Sequence, residues 1–331
     1  MNMLRLEKIA TVKKRRFLLK VENSAEAADY AKYEELRNEI WGFPEDNMPG
    51  PRNMMCENFL HDGSSLFIAV YAEDQAGRIV EDKTGLVGFS YGFVGIKNKA
   101  VGFKSLDNIW FYSQYTCVLP SFQGGGLGVS IKEFQREILV EVFGLTTVTC
   151  TFDPLTGVNA RRNIHHFGME VHEYRTATYG AYGGHLNRLD VPTDRFFMTW
   201  DLRKKVRRRE DRFEDLSEAD HGVLDVEEAS VMGRSRPEPL EIVRGLRPER
   251  GGEFLLLRIP RDFYLMLRET DVDDPRVREI PVAWRMMTRE AFLRLFARGY
   301  KVVDFLAPGD RLSGNYYVLA KSSDAGIGPR F

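Results

Sequence analysis

Cysteine is scarce in this chain. The 331 residues include three, Cys56, Cys117 and Cys150. They are odd in number, far apart and without a C-x-x-C pair, which argues against a disulfide framework and against structural zinc. Net charge is equally small: 47 Lys and Arg against 48 Asp and Glu leave −1. There is thus no general electrostatic reason to expect nucleic acid or a membrane surface as partner. No apolar run approaches the ~20 residues that span a bilayer, and residues 1–20 mix Arg, Lys and Glu into their apolar positions, unlike a signal peptide. A soluble, cytoplasmic protein is the expectation. At 43% hydrophobic residues the chain has apolar material for two compact domains.

What the chain does have is Gln123-Gly124-Gly125-Gly126-Leu127-Gly128, placed between an apolar run ending at Leu119-Pro120 and an amphipathic segment beginning near Val129. Glycines allow close approach of backbone to a ligand, and the exposed N–H groups at the start of a helix attract anions, phosphate most often. A P-loop needs Lys-Ser or Lys-Thr after its last glycine, but Val129-Ser130 follow Gly128. The dinucleotide fingerprint G-x-G-x-x-G fails at Val129, where its third glycine should stand. The pattern Q/R-x-x-G-x-G/A is met by Gln123, Gly126 and Gly128.

Hydrophobic periodicity orders the elements around this loop. A strand at 17–21 precedes a helix at 25–40 capped near Asn23-Ser24, and strands follow at 66–71, 86–94 and 109–118. After the loop come a helix at 129–142 ended by Gly144, a strand at 146–152 closed by Asp153-Pro154, and a short helix at 159–167 ended by Gly168. Strands near 169–174 and 196–201 complete the series. Between the first helix and the next strand, Pro44, Pro49, Gly50 and Pro51 make 41–53 a loop of the kind that lines clefts.

The glycine turn in this element order resembles the acetyl-CoA loop of the GNAT superfamily of acyl-CoA-dependent N-acyltransferases, over roughly residues 15–202. A longer composite adds weight to the resemblance: Thr151-Phe152-Asp153-Pro154-Leu155, Asn159-Ala160-Arg161-Arg162-Asn163, Asn187-Arg188, Pro192-Thr193-Asp194-Arg195 and Trp200. It is similar to a predicted bacterial and archaeal acetyltransferase group with a C-terminal extension. The resemblance implies an α/β (α+β) fold with a mixed central sheet splayed at the acyl-CoA site, and acetyl-CoA as co-substrate. It implies direct attack of a small-molecule or peptide amine on the thioester. By the same resemblance, Gln123, Gly124, Gly125, Gly126, Leu127 and Gly128 would hold the pyrophosphate. Tyr115, Thr116, Cys117 and Val118 would meet pantetheine through main chain, and Asn159 and Asn163 would lean toward the CoA arm. Asn159 is equally well read as a helix N-cap. Cys117 is read as a small buried strand residue and not as a nucleophile.

The chain also departs from that family. The tyrosine that often serves as acid would fall at Ile164, and the glutamate that often serves as base is missing from the strand that reads Tyr112-Ser113-Gln114-Tyr115. Replacement acids are Tyr174, Tyr179 or Tyr182. A relayed water at Ser113, Gln114 or Asp153 would replace the base, although an Asp before Pro is often turn chemistry alone. These departures keep a second reading open, a catalytically degenerate acyl-CoA-binding module with a regulatory or assembly role. Asp194 and Arg195 would either clamp substrate or form an internal ion pair. His165-His166 cannot face one way, and His172 and His185 lack an i, i+4 partner, so no metal is expected.

The expected domains are 1–202 for the acyltransferase, 203–250 for a charged linker and 251–331 for a smaller α/β domain. That last domain has strands at 254–259, 301–306 and 315–319 and helices at 262–268 and 282–296. The basic run Arg203-Lys204-Lys205, Arg207-Arg208-Arg209 is followed at once by acids, so it reads as solvated linker rather than a nucleic-acid patch. A homodimer is left open.

Overall fold

The structure is a computed structural model that describes residues 6–24, 27–42, 65–180, 183–204, 213, 215–234, 236–309 and 312–321. Most of the 41–53 loop, Cys56, Tyr182 and the basic run 205–209 lie outside the described residues. The chain divides into two compact units, residues 1–150 with 201–203, and residues 151–200 with 204–330. This is not the expected division at 202: the break falls inside a strand, at Cys150.

In the first unit β1 (Glu7–Val12), β2 (Arg15–Val21), β3 (Ser65–Ala72), β4 (Leu86–Ile96) and β5 (Ile109–Val118) pair in sequence order, each antiparallel to the next. Helix α1 (Ala31–Trp41) follows β2, and α2 (Leu127–Glu141) is the crossover that makes β6 (Thr147–Phe152) parallel to β5. Every residue of β3 is buried, which explains why its sequence is a continuous apolar run rather than an alternation. The described helical residues begin at Ala27. Ser24 binds Asp29 through its hydroxyl and accepts the Tyr30 hydroxyl on its carbonyl.

The β1 and β2 hairpin turns on Lys13 and Lys14, at φ 47° and 67°. This is the two-residue turn with both centres left-handed, favoured by Asn-Gly and costing a β-carbon-bearing residue ~1 kcal/mol or more.

In the second unit, α3 (Gly157–Ala160, continuing as a π-helical turn over Arg161–His166) leads to the antiparallel pair β7 (Glu170–Arg175) and β8 (Arg195–Asp201). The stretch expected as linker contains a hairpin, β9 (Leu224–Met232) with β10 (Pro237–Leu246). Its charges are cross-strand partners and not linker solvation: Arg244 bonds Glu227 at 2.5 Å, and Arg247 pairs with Asp225. The C-terminal sheet runs β11 (Phe254–Ile259), β13 (Asn315–Lys321), β12 (Tyr300–Leu306), with α5 (Ile280–Ala297) against it and α4 (Phe263–Glu269) against α5.

Residues 151–200 and the C-terminal elements share one core. Phe196 lies 4.8 Å from Phe292 and 5.5 Å from Tyr317 between ring centroids, so β8, α5 and β13 meet on aromatic edges. Tyr317 donates its hydroxyl to the Pro154 carbonyl at 2.8 Å. A β-carbon on Gly157 would stand 2.6 Å from Nδ2 of Asn315, an amide already bound to the Pro260 and Arg261 carbonyls. We expect Gly157→Ala to lower urea stability by about 1–3 kcal/mol through overpacking. A melt equal to the parent's would show that α3 is not braced by β13.

Candidate functional site

In the first unit, β5 carries a bulge: Tyr91 faces Tyr115 and Gly92 faces Ser113, so Gln114 is the extra residue and is exposed. A bulge re-aims the side chains beyond it. Ser113 turns toward α2, where its hydroxyl meets Lys132 at 2.5 Å and Gln135 at 3.1 Å. Tyr115, two residues on, turns toward the end of α1 and packs edge-on to Trp41 at 5.6 Å. On its other side β5 pairs with β6 only at Phe111 with Val148 and Tyr112 with Thr149. From Ser113 to Val118 the two parallel strands diverge.

The glycine loop stands at the end of that gap. Gly124 and Gly126 have φ of 71° and 98° and open space where a β-carbon would point. The amides of Gly124, Gly125, Gly126, Leu127 and Gly128 donate to no group among the described residues. These are the orphan donors of a helix start, here at the positive end of α2's dipole. Gln123 braces the loop by donating from Nε2 to the Val118 carbonyl at 2.7 Å. Cys117 is buried and its thiol is pushed well up by that burial, as expected of a packed strand residue. A splayed parallel strand pair with a cationic backbone turn at its mouth fits a ligand that has an amide-bearing arm and a pyrophosphate.

This is the GNAT fold. No protein-family model matches the chain. No curated protein matches it either. Among solved structures, similarity is found to Arabidopsis thaliana NAA60 in complex with acetyl-CoA, at 10% identity, covering 57% of this chain and 99% of that one, with TM-score 0.43. It is found also to the ribosomal-protein-S18-alanine N-acetyltransferase from Escherichia coli, at 15% identity, 60% and 99% coverage and TM-score 0.37. The GNAT topology itself rests on the strand order, the crossover and the splay.

The remaining expected site residues lie in the second unit. Asn159 and Asn163 both hold Arg162: its Nη2 donates to Asn159 Oδ1 at 2.9 Å and its Nε to Asn163 Oδ1 at 3.2 Å. The N-cap position belongs to Thr156, whose hydroxyl accepts from Asn159 Nδ2 at 3.0 Å. Ile164 is buried.

Asp153, considered as a relay, is instead sealed. It meets Arg285 Nη2 at 2.5 Å and Arg195 Nη1 at 3.4 Å, and Arg285 is fully buried. Burial by itself would raise the Asp153 carboxyl, but Arg285 and then Arg195 outweigh it and hold the group below the usual carboxylate range. A carboxylate so stabilised is a poor base.

Asp194 and Arg195, considered as a substrate clamp, instead anchor a loop. Asp194 is fully buried and accepts two bonds from Arg289 at 2.8 and 2.7 Å, one from the Tyr174 hydroxyl at 2.8 Å and one from the Ala177 amide at 2.9 Å. That last bond holds Ala177 at a φ of 47°. Thr193 Oγ1 accepts from the Tyr179 amide at 3.1 Å and donates to the Gly180 carbonyl at 2.8 Å. The guanidinium carbon of Arg195 lies 5.1 Å from the centre of the Tyr179 ring. So Thr193, Asp194 and Arg195 together fix the position of Tyr179.

The two tyrosines therefore differ in kind. Tyr174 is buried, and burial pushes its hydroxyl far up. Tyr179 is 49% exposed with its hydroxyl 2.8 Å from Thr151 Oγ1. Arg285 and Arg289 lie about a hundred residues beyond the motif they serve, so no local signal linked them to it. Among the described residues there is no cluster of three His, Cys, Asp or Glu that could hold a metal, and no helix long and apolar enough to cross a membrane.

Arg285→Met should cost about 3–5 kcal/mol at neutral pH by stranding a buried charge. The Asp153 value is depressed in the fold, so its contribution is complete above the unfolded value of about 3.9 and is lost as pH falls through the lower folded value. The deficit of Arg285→Met relative to the parent should accordingly shrink below about pH 4. Denaturant melts at two pH values test it; a deficit independent of pH would assign the loss to packing.

Proposed function

We propose that this protein is an acyl-CoA-dependent N-acyltransferase that uses acetyl-CoA as donor and a small-molecule or peptide amine as acceptor. The observation that carries it is the run of amides from Gly124 to Gly128 at the start of α2, which meet no acceptor among the described residues, beside a strand that pairs with its parallel neighbour only up to Tyr112. In this reading the loop amides bind the pyrophosphate and the dipole of α2 adds to their field. The β5 main chain from Tyr115 to Val118 aligns the pantetheine arm. Acyl-CoA supplies the thioester whose carbonyl carbon the amine attacks, with the C–S bond breaking. Tyr179 is the residue assigned to give the departing thiolate its proton, since of the candidate acids Tyr174 and Tyr179 it is the exposed one. With Gln114 exposed on the bulge and Asp153 tied to arginines, the amine's proton leaves to water rather than to a side-chain base.

A second reading, an acyl-CoA-binding module without turnover, is favoured by one observation: Ile164 is buried and apolar where the resemblance would place an acid. Thiol release from acetyl-CoA across an amine panel separates the two, and binding without any release would support the module. Within the enzyme reading, Tyr179→Phe should reduce kcat by about 10- to 100-fold with KM little changed. Tyr174→Phe should reduce stability by about 1–2 kcal/mol and leave turnover near normal.

Gly124→Val and Gly126→Val force a β-branched residue to positive φ. Each should abolish the thermal shift given by CoA, which in the parent amounts to about 2.7 kcal/mol at a hundredfold excess over Kd. Shifts equal to the parent's would overturn the loop assignment.

A further inference from the structure

The turn between β1 and β2 carries two lysines in a conformation that suits neither. Lys13 and Lys14 stand at φ 47° and 67°, where Asn-Gly would be relaxed. Strain retained at a turn calls for a reason outside the hairpin.

Register gives the turn its location. Val118 at the end of β5 faces Gly88, Gly88 faces Val70, and Val70 faces Leu19. The end of β5 and the start of β2 are therefore at the same end of the sheet, and the hairpin turn stands where the glycine loop begins. The contact is close: a β-carbon on Gly125 would lie 3.1 Å from Val12 Cγ1 and 3.6 Å from Lys13 Cδ. Arg15 lies with its guanidinium carbon 4.4 Å from the centre of the Phe122 ring, just before the loop, and Phe122 is itself packed on Phe17 at 6.0 Å.

Charge gives the turn its chemistry. Lys13, Lys14, Arg15 and Arg16 are consecutive and exposed. None of their side chains pairs with a carboxylate among the described residues, and the neighbouring Glu73 accepts the Arg16 backbone amide at 3.0 Å. Four adjacent cations repel one another, and beside the five loop amides that meet no acceptor among the described residues they make a field for a ligand with more than one phosphate.

We propose that this turn is a second anion subsite. It takes the 3′-phosphate at the nucleotide end of the acyl-CoA whose pyrophosphate lies on the glycine loop, with Lys13 and Lys14 as the residues that select 3′-phosphorylated CoA over 3′-dephospho-CoA. The proposal rests on the acyl-CoA reading of the loop. A phosphomonoester carries nearly two negative charges at pH 7 and three acceptor oxygens, which suits two ammonium groups on flexible stems.

The test is calorimetric titration of the full chain with CoA and with 3′-dephospho-CoA. It compares the parent with the double variant Lys13→Asn, Lys14→Gly, which removes both charges while relaxing the turn. The parent should bind CoA about 10- to 100-fold more tightly than the dephospho ligand, a preference that shrinks with added salt. The double variant should lose that preference, with dephospho-CoA affinity unchanged and a melting temperature no lower than the parent's. Equal affinities in the parent, or a preference that survives in the variant, would overturn the subsite. Loss of both ligands in the variant would also overturn it, because the turn would then be a prop for the loop. If the parent binds neither ligand, the acyl-CoA reading fails, and the subsite with it.

Discussion

Two buried carboxylates, Asp153 and Asp194, each meet a guanidinium from the same late helix, Arg285 and Arg289, and the second unit is organised around those pairs. A charge moved out of water costs several kcal/mol unless its partner comes with it in good geometry. Arg285 is fully buried, and among the described residues the Asp153 bond is the one hydrogen bond of its guanidinium, whose Nε and Nη1 have none. Helix α5 therefore cannot leave the end of β6 and the start of β8 without exposing apolar aromatic faces and stranding charge together. This is why residues 151–200 cluster with the C-terminal sheet instead of forming a domain boundary near 202.

The same pairs determine what chemistry the second unit can offer. An aspartate held ionised by two arginines does not accept a proton readily, and an aspartate with four donors around it has no oxygen left for a substrate. Both instead do positioning. Asp194 holds Ala177 at positive φ and Thr193 holds the Tyr179 amide, so both bond the segment that carries the exposed Tyr179. In the first unit a comparable economy operates at Gln114, where one extra residue in β5 sends Ser113 toward α2 and Tyr115 toward α1.

Legibility followed the range of the forces involved. The glycine loop was readable because its requirements are local: positive φ at Gly124 and Gly126 and free amides at a helix start depend on neighbours in sequence. Strand β11 and helix α5 were readable because their apolar periodicity is strong. The hairpin of β9 and β10 was not, since its charged residues look like a solvated linker until Arg244 is paired with Glu227 across the strands. The bulge at Gln114 was equally hidden, because a bulge is defined by two strands at once.

By itself the sequence determined the βα order and the glycine turn at its centre, both carried by periodicity and turn chemistry. Tertiary structure alone decided that Asp153 and Asp194 are structural anchors, that Tyr174 is sealed while Tyr179 is open, and that Lys13 overlies Gly125. Each of those depends on which charges and apolar faces share a desolvated space, and residues about a hundred positions apart carry no mark of that in their order.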